Sequence, residues 1–241
     1  MADMEPTQEA DLDAMIEELR ASLRSAPLEM RSLVLSQIQS LEQAKGMLER
    51  ARPQMEANKQ YRAPVPESFR PFFTPEQPVQ VPAWLPDTLA RNEVTEAMMR
   101  CQAPARVYEH EDALECAIPT GLGNIPIRSG LSVGFYKSGR LRWQRFYENG
   151  CLRWAIEWHP SGGRDSMGFY TDTEPRQHRE HGVYTRFAPN GAIVSQAVYW
   201  HGTRHGWSKL WEDDGYPISA TLYDQGREVE DVLPSGERRR R

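Results

Sequence analysis

The sequence predicts an α+β chain: an N-terminal helical hairpin (residues 1–60), a Pro-rich connector (61–130) and a C-terminal antiparallel β-hairpin repeat array (131–228) of about eight strands. Three observations carry this expectation. Apolar residues recur at helical spacing before residue 60, seven of the 18 prolines fall between 61 and 90, and 17 of the 23 aromatic residues fall at regular intervals between 131 and 228.

Leu12, Ile16, Leu19 and Leu23 follow i, i+4, i+7, i+11, one face of a helix. Pro27 then interrupts the register, because proline is tolerated in a first turn but not in a helix interior. Val34, Ile38, Leu41 and Leu48 continue the stripe through a second helix. Two amphipathic helices joined by a tight turn make an αα-hairpin. Their stripes need cover, which a second copy of the chain, a partner protein or the C-terminal domain could each supply.

Pro64, Pro66, Pro71, Pro75, Pro78, Pro82 and Pro86 prevent a continuous helix and remove ladder donors, so an extended connector is expected. Phe69, Phe72, Phe73 and Trp84 within it read as anchors onto a folded surface. A short helix is expected from Asp87 to Arg100, with Asp87 as its N-cap. Residues 105–118 alternate enough for a strand or two, and GLGNIPIRSG leads into the repeats.

The repeats have two turn series. An aromatic residue stands four positions before a glycine in Phe135/Gly139, Trp158/Gly162, Phe187/Gly191 and Trp211/Gly215. A tyrosine stands three positions before a second turn in Tyr147/Gly150, Tyr170/Thr173, Tyr199/Gly202 and Tyr223/Gly226. Successive copies lie 23, 29 and 24 residues apart in both series, the long gap holding an insertion around Pro175 to Glu180. Such a period signals a repeat architecture. The Asn-Gly, Ser-Gly and Asp-Gly dipeptides at the turns favour hairpins, since both central positions accept positive φ. One hairpin alone is marginal in water, and neighbours stacked side by side bury the aromatic rows.

The segments GVYTRFAPNG then YWHGTRHG, and GWSKLWEDDG then YDQG, carry a resemblance. They are similar to the MORN-repeat variant of bacterial proteins often labelled YwqK-type antitoxins, over about residues 131–228. The first two copies depart from the pattern: Trp154 stands where a link glycine is expected, and Thr173 replaces a turn glycine. The resemblance implies a sheet-like interaction module with no catalytic residues to carry over.

Composition narrows function. A net charge of −5 argues against general nucleic-acid binding, which draws its affinity from phosphate neutralisation. No apolar run approaches the roughly 20 residues of a membrane span, and the acidic N-terminus does not read as a secretory signal. Cys101, Cys116 and Cys151 are too few for a disulfide framework, so free thiols in a reducing cytoplasm are expected. Residues 229–241, ending in Arg238–Arg241, read as a disordered basic tail.

No nucleophile elbow, zinc-protease or P-loop motif occurs, and no cofactor is expected. His178, His181, His201 and His205 cluster in the last two copies, but no thiolate or carboxylate completes a metal site, and polar links explain them better. The acidic tip at 212–214 lacks the ligand count of a calcium loop. Trp143, Trp154, Trp200 and Trp207 fall outside the repeated rows. With Arg142, Arg153 and Arg204 they are the candidates for a partner-binding face, since tryptophan and arginine are enriched at hot spots. The expectation is a non-enzymatic cytoplasmic protein-binding module, an antitoxin, immunity or effector-partner role being its sharper form and homodimerisation through the helices its companion. The alternatives are a carbohydrate or cell-wall ligand module, and attachment to anionic membrane lipid through the arginine tail.

Overall fold

The computed structural model describes residues 8–25, 27–60, 62–77, 85–120, 126–171 and 177–240. Two helices, α1 (Gln8–Ser25) and α2 (Leu28–Gln60), form the N-terminal hairpin. They meet through Ile16, Val34 and Ile38, with Leu19, Leu23 and Leu41 packed alongside. The side chain of Leu48 lies outside the described residues.

Among its described residues up to 77, the connector holds a short helix, α3 (Arg70–Phe73), preceded by a 3-10 turn at Glu67–Phe69. The helix expected from Asp87 to Arg100 is reduced to a 3-10 turn at Arg91–Glu93 and a single helical turn, α4 (Glu96–Met99). Tertiary bonding overrides the local preference there. Ala90 is extended and bridges Arg140, and the Arg91 N–H bonds the Gly139 carbonyl at 2.9 Å. Asp87 caps nothing and pairs instead with the Arg164 Nε at 3.0 Å. Trp84, expected as an anchor, lies outside the described residues.

Among the described residues twelve strands follow in one antiparallel sheet whose spatial order is the order of the chain. They are β1 (Arg106–Glu109), β2 (Ala113–Ile118), β3 (Ile127–Phe135), β4 (Leu141–Glu148), β5 (Cys151–Trp158), β6 (Arg164–Tyr170), β7 (Glu180–Phe187), β8 (Ile193–Trp200), β9 (Thr203–Trp211), β10 (Pro217–Asp224), β11 (Arg227–Val232) and β12 (Arg238–Arg240). The sheet is therefore longer than the eight strands expected. Strands β1 and β2 extend it at the front. Behind, the segment read as a disordered tail supplies β12, which pairs with β11 through Glu230/Arg240, Asp231/Arg239 and Val232/Arg238. Arg238 ion-pairs with Glu230 and its guanidinium stacks on Phe72, so this arginine is held by the fold.

The aromatic–glycine turns all lie along one edge of the sheet, closed by N–H to C=O bonds from Gly139 to Tyr136, Gly162 to His159, Gly191 to Ala188 and Gly215 to Glu212. A fifth turn of the same form runs from Leu233 to Gly236. The links after Tyr147, Tyr199 and Tyr223 occupy the opposite edge; Thr173 lies outside the described residues.

Register explains where the core sits. Leu114, Val133, Gln144, Ile156, Met167, Thr185, Gln196, Lys209, Ala220 and Val232 are successive cross-strand partners, from β2 to β11. All ten are buried. Side chains alternate along each strand, so this row defines an inner face, and the connector lies across it. Phe73, Phe69 and Phe72 pack with Ala220, Val232 and Trp207, while Leu85 and Met99 join the core of β2–β6.

The polar members of the row hold the connector. The Gln196 amide accepts from the Glu76 N–H and donates to the Glu76 carbonyl, both at 2.8 Å. Gln144 does the same for Leu85, at 3.4 and 3.0 Å. A primary amide carries the donor and acceptor of a peptide unit, so each glutamine pairs with the connector backbone as a neighbouring strand would. Lys209 Nζ donates to the Thr74 carbonyl at 2.8 Å, and Trp211 Nε1 to the Phe73 carbonyl at 2.9 Å.

The helical hairpin docks on the turn edge. The Lys137 N–H and ammonium bond Glu18 and Ser22 at 2.8 and 2.7 Å, and Asp11 bonds Ser161 and His159. Beyond α2, Arg62 pairs with Asp214 at 2.8 Å and stacks on Tyr216. The acidic tip at 212–214 is thus an anchor for the connector.

Cys101 and Cys116 form a disulfide that ties the segment after α4 to β2; Cys151 is a buried free thiol. The expectation of three free thiols is corrected. Pairing was illegible because the two partners sit in different elements, with only the fold to bring them together.

Candidate interaction surface

The four tryptophans do not share a face. Trp154 is only 4% exposed: alternation sends it inward between its register partners Phe146 and Phe169, and it stacks on Phe146 with ring centroids 5.9 Å apart. Trp207 also turns inward, where it meets Phe72 edge-on at 5.5 Å beneath the connector. Neither is the exposed anchor that its position outside the aromatic rows suggested. Trp143 lies on the outer face. Trp200, 60% exposed, stands at the link edge against His181 and His201, with ring centroids at 4.7 and 5.1 Å.

The arginines divide likewise. Arg142 stands over Tyr136 at 5.7 Å beside the helical hairpin. Arg153 pairs with Glu148 at 2.8 Å. Arg204 lies on the outer face with its register partner Tyr199, stacked on Tyr223 at 5.2 Å. The Trp/Arg face expected from sequence is therefore dispersed. A different group occupies the outer face.

That group is built by alternation opposite the inner row. Trp143 and Arg145 flank Gln144 in β4, with Tyr147 two residues beyond Arg145, and Arg145 stacks on Trp143 at 4.7 Å while pairing with Glu157 at 2.7 Å. The glycines make room for the rings. A Cβ on Gly134 would stand 2.2 Å from the Trp143 indole, and one on Gly168 would stand 2.5 Å from the Tyr184 ring. Tyr170, Tyr199 and Tyr223 continue the tyrosine series along this face. Burial raises the Tyr170 phenol well above its ordinary value, and burial raises that of Tyr184 against the lowering effect of its hydrogen bond with Ser166, so both stay protonated. Sequence reading passed over Arg145 and Tyr184, although the i, i+2 spacing of Trp143, Arg145 and Tyr147 was its visible signal.

The four clustered histidines do not converge. His181 packs with Trp200 and His201, the His201 Nδ1 lies 3.0 Å from the Thr171 hydroxyl, and His205 faces Asp224 at 3.3 Å. Among the described residues no group of three or more His, Cys, Asp or Glu side chains is placed to hold a metal ion. Among the described residues no helix is long and apolar enough to cross a membrane either.

No family model matches the chain, and no curated protein matches it. A solved structure of a glycosylation-associated protein complex from Streptococcus agalactiae is similar in part, at 12% identity and a TM-score of 0.30, over 51% of this chain. The chain spans 22% of that protein's length. At this level the likeness carries no functional argument.

Proposed function

We propose that this protein is a non-enzymatic protein-binding module built on MORN-like β-hairpin repeats. One observation carries the reading: the inner face of the sheet is occupied by the chain's own connector, whereas the outer face presents Trp143, Arg145, Tyr170, Tyr184, Tyr199, Arg204 and Tyr223. Antiparallel sheets with one solvated face usually carry simple polar residues there. Tyrosine, tryptophan and arginine are instead the residues enriched where proteins bind one another. The docked helical hairpin serves as a rigid cover for the turn edge. An antitoxin, immunity or effector-partner role is the sharper form of this proposal, resting on the repeat resemblance. For location, the Cys101–Cys116 bond favours an oxidising compartment over the cytoplasm expected from the sequence.

The test is affinity capture with the full chain, followed by cross-linking mass spectrometry on a purified partner and analytical ultracentrifugation. Cross-links should fall on β4–β10 of the outer face, and Tyr199→Ala with Arg204→Glu should weaken binding about tenfold or more. Capture of no specific protein by a chain that sediments only as monomer would sink the reading.

A further inference from the structure

The segment that follows α2 lies on the inner face as a bound peptide would. Of its described residues 62–77 only Phe73 is buried, and Thr74 to Gln77 are exposed. Pro66 (φ −54°, ψ 140°) and Thr74 (φ −68°, ψ 123°) have backbones close to a polyproline helix. The Phe73 ring enters a small apolar cluster with Ala220 and Val232, separate from the main core that holds Val133, Ile156 and Met167. Lifting this segment therefore opens one pocket and leaves the main core closed.

The sheet beneath it is built to hold a main chain. Where the inner row lies in the main core it is apolar, but beneath residues 73–77 it turns polar, with Gln196 and Lys209. The carbonyls of Phe73, Thr74 and Glu76 accept from Trp211, Lys209 and Gln196, the Ala63 carbonyl accepts from the Tyr216 hydroxyl at 3.1 Å, and the Glu76 N–H donates to Gln196. This pattern suits a chain with many carbonyls and few N–H groups, which is what proline supplies; four of residues 62–77 are proline. Polar groups uncovered by a departing segment are rehydrated, so they cost less to expose than the apolar row elsewhere.

We propose that the inner face at β8–β11 is a second partner site, that its ligand is an extended, proline-rich segment of another protein with a phenylalanine anchor, and that residues 70–77 are its tethered competitor. The seated segment defines the chemistry. A phenylalanine fills the pocket at Ala220 and Val232, the next carbonyl meets Lys209, and an acidic residue three positions on faces the same ammonium, as Glu76 does at 4.0 Å. Aromatic-lined grooves that take polyproline segments work in this way, because the ligand arrives already extended. A short tether holds its own segment at roughly millimolar effective concentration. The partner segment enters when it exceeds that level or when the tethered copy is weakened. The site lies on the face opposite the proposed outer surface, so either can fail without the other.

The probe is a fluorescein-labelled peptide with the sequence of residues 66–77, PESFRPFFTPEQ, titrated by anisotropy into the full chain. The parent should bind it only near millimolar peptide. Phe73→Ala, which weakens the tethered copy and leaves the groove intact, should bind it at least tenfold more tightly. Adding Gln196→Met to that variant should reverse most of the gain, and a peptide with alanine at both positions corresponding to Phe72 and Phe73 should not bind. Phe72→Ala serves if Phe73→Ala fails to fold. Independently of any variant, a photoreactive phenylalanine at the peptide position of Phe73, used at millimolar concentration on the parent, should label β9–β11. No gain in a folded Phe73→Ala or Phe72→Ala chain, equal binding of the alanine peptide, indifference to Gln196→Met, or labelling outside β9–β11 each overturns the proposal. So do parent-chain dimers that the free peptide dissociates, since these assign the groove to the connector of a second copy.

Discussion

Asp11 on α1 holds the imidazole of His159 at 2.9 Å, Oδ2 to Nδ1, at the second hairpin turn. The other ring nitrogen, Nε2, lies 2.9 Å from the Phe187 carbonyl oxygen. Carboxylate and carbonyl both only accept, so satisfying both contacts requires the doubly protonated ring. Asp165 at 3.6 Å adds a second negative charge, itself facing Arg186 at 3.7 Å, and Ser161 donates to Asp11.

This pair should make docking of the helical hairpin depend on pH. Burial alone would lower the pKa of His159, but the bonds to Asp11 and Phe187 and the nearby carboxylates outweigh it and raise the value. For Asp11, burial raises and the bonds to His159 and Ser161 lower, the net shift being downward. The histidine contribution is present in full below its unfolded value and is lost as pH rises through the raised folded value. The aspartate contribution is present above its unfolded value and is lost as pH falls through the lowered one. Docking should therefore be firmest between about pH 4 and 6.5. Hydrogen exchange of α1 amides should quicken above that window, and His159→Gln should flatten the rise. Asp11→Asn should cost about 1.5–3 kcal/mol.

Gln144 and Gln196 make a second prediction. Replacing either with methionine keeps the volume but strands an N–H and a C=O of the connector beneath the sheet. Each substitution should lower stability by about 1–3 kcal/mol. The two sites are four strands apart, roughly 19 Å at the usual strand spacing, so the double variant should lose close to the sum. Denaturant titration measures all three. A negligible loss for Gln196→Met would mean that the connector is held by Phe69, Phe72 and Phe73 alone.

Much of this was legible in the residues and some was not. The four aromatic–glycine turns were visible because turn chemistry is local: glycine at positive φ, such as Gly139 at 84° and Gly191 at 82°, fixes the hairpin wherever it occurs. The fifth turn escaped because Val232 stands where an aromatic residue marks the other four. The helices were visible from period alone, with Ile16, Val34 and Ile38 buried as their spacing required. The inner and outer faces were harder. Trp154 looked exposed because it breaks a pattern, yet its partners Phe146 and Phe169 set its direction, and register is not written in a single strand. The role of Gln144 and Gln196 depended on a connector more than fifty residues away.

Gly134 and Gly168 should resist substitution for a reason unlike that of the turn glycines. At Gly139 a Cβ meets nothing within 4 Å, and alanine there would suffer only from the left-handed backbone, about 1–2 kcal/mol. At Gly134 no such φ applies, but the new Cβ would overlap the Trp143 indole, and relief requires moving that ring. Gly134→Ala should cost about 1–3 kcal/mol and change the near-ultraviolet circular dichroism of Trp143. Trp143→Ala should suppress most of that cost in the double variant, a non-additivity that Gly139→Ala should not show.

The Cys101–Cys116 bond closes a loop with a sequence separation of 15, carrying β1 and the turn before β2. Closing a loop of that size removes unfolded-state freedom equivalent to about 3 kcal/mol. Cys101→Ser/Cys116→Ser should therefore lower stability by about that amount, and added reductant should lower the melting temperature of the parent chain but not of the variant. The effect should be local as well as global. Met99 is fully buried beside the bond and Leu85 is held by Gln144, so amide exchange should quicken first in residues 96–109 and leave β7–β10 protected. Uniform loosening of the whole sheet would instead show that the bond secures the array itself, with β1 and β2 acting as its structural start rather than as a lead-in.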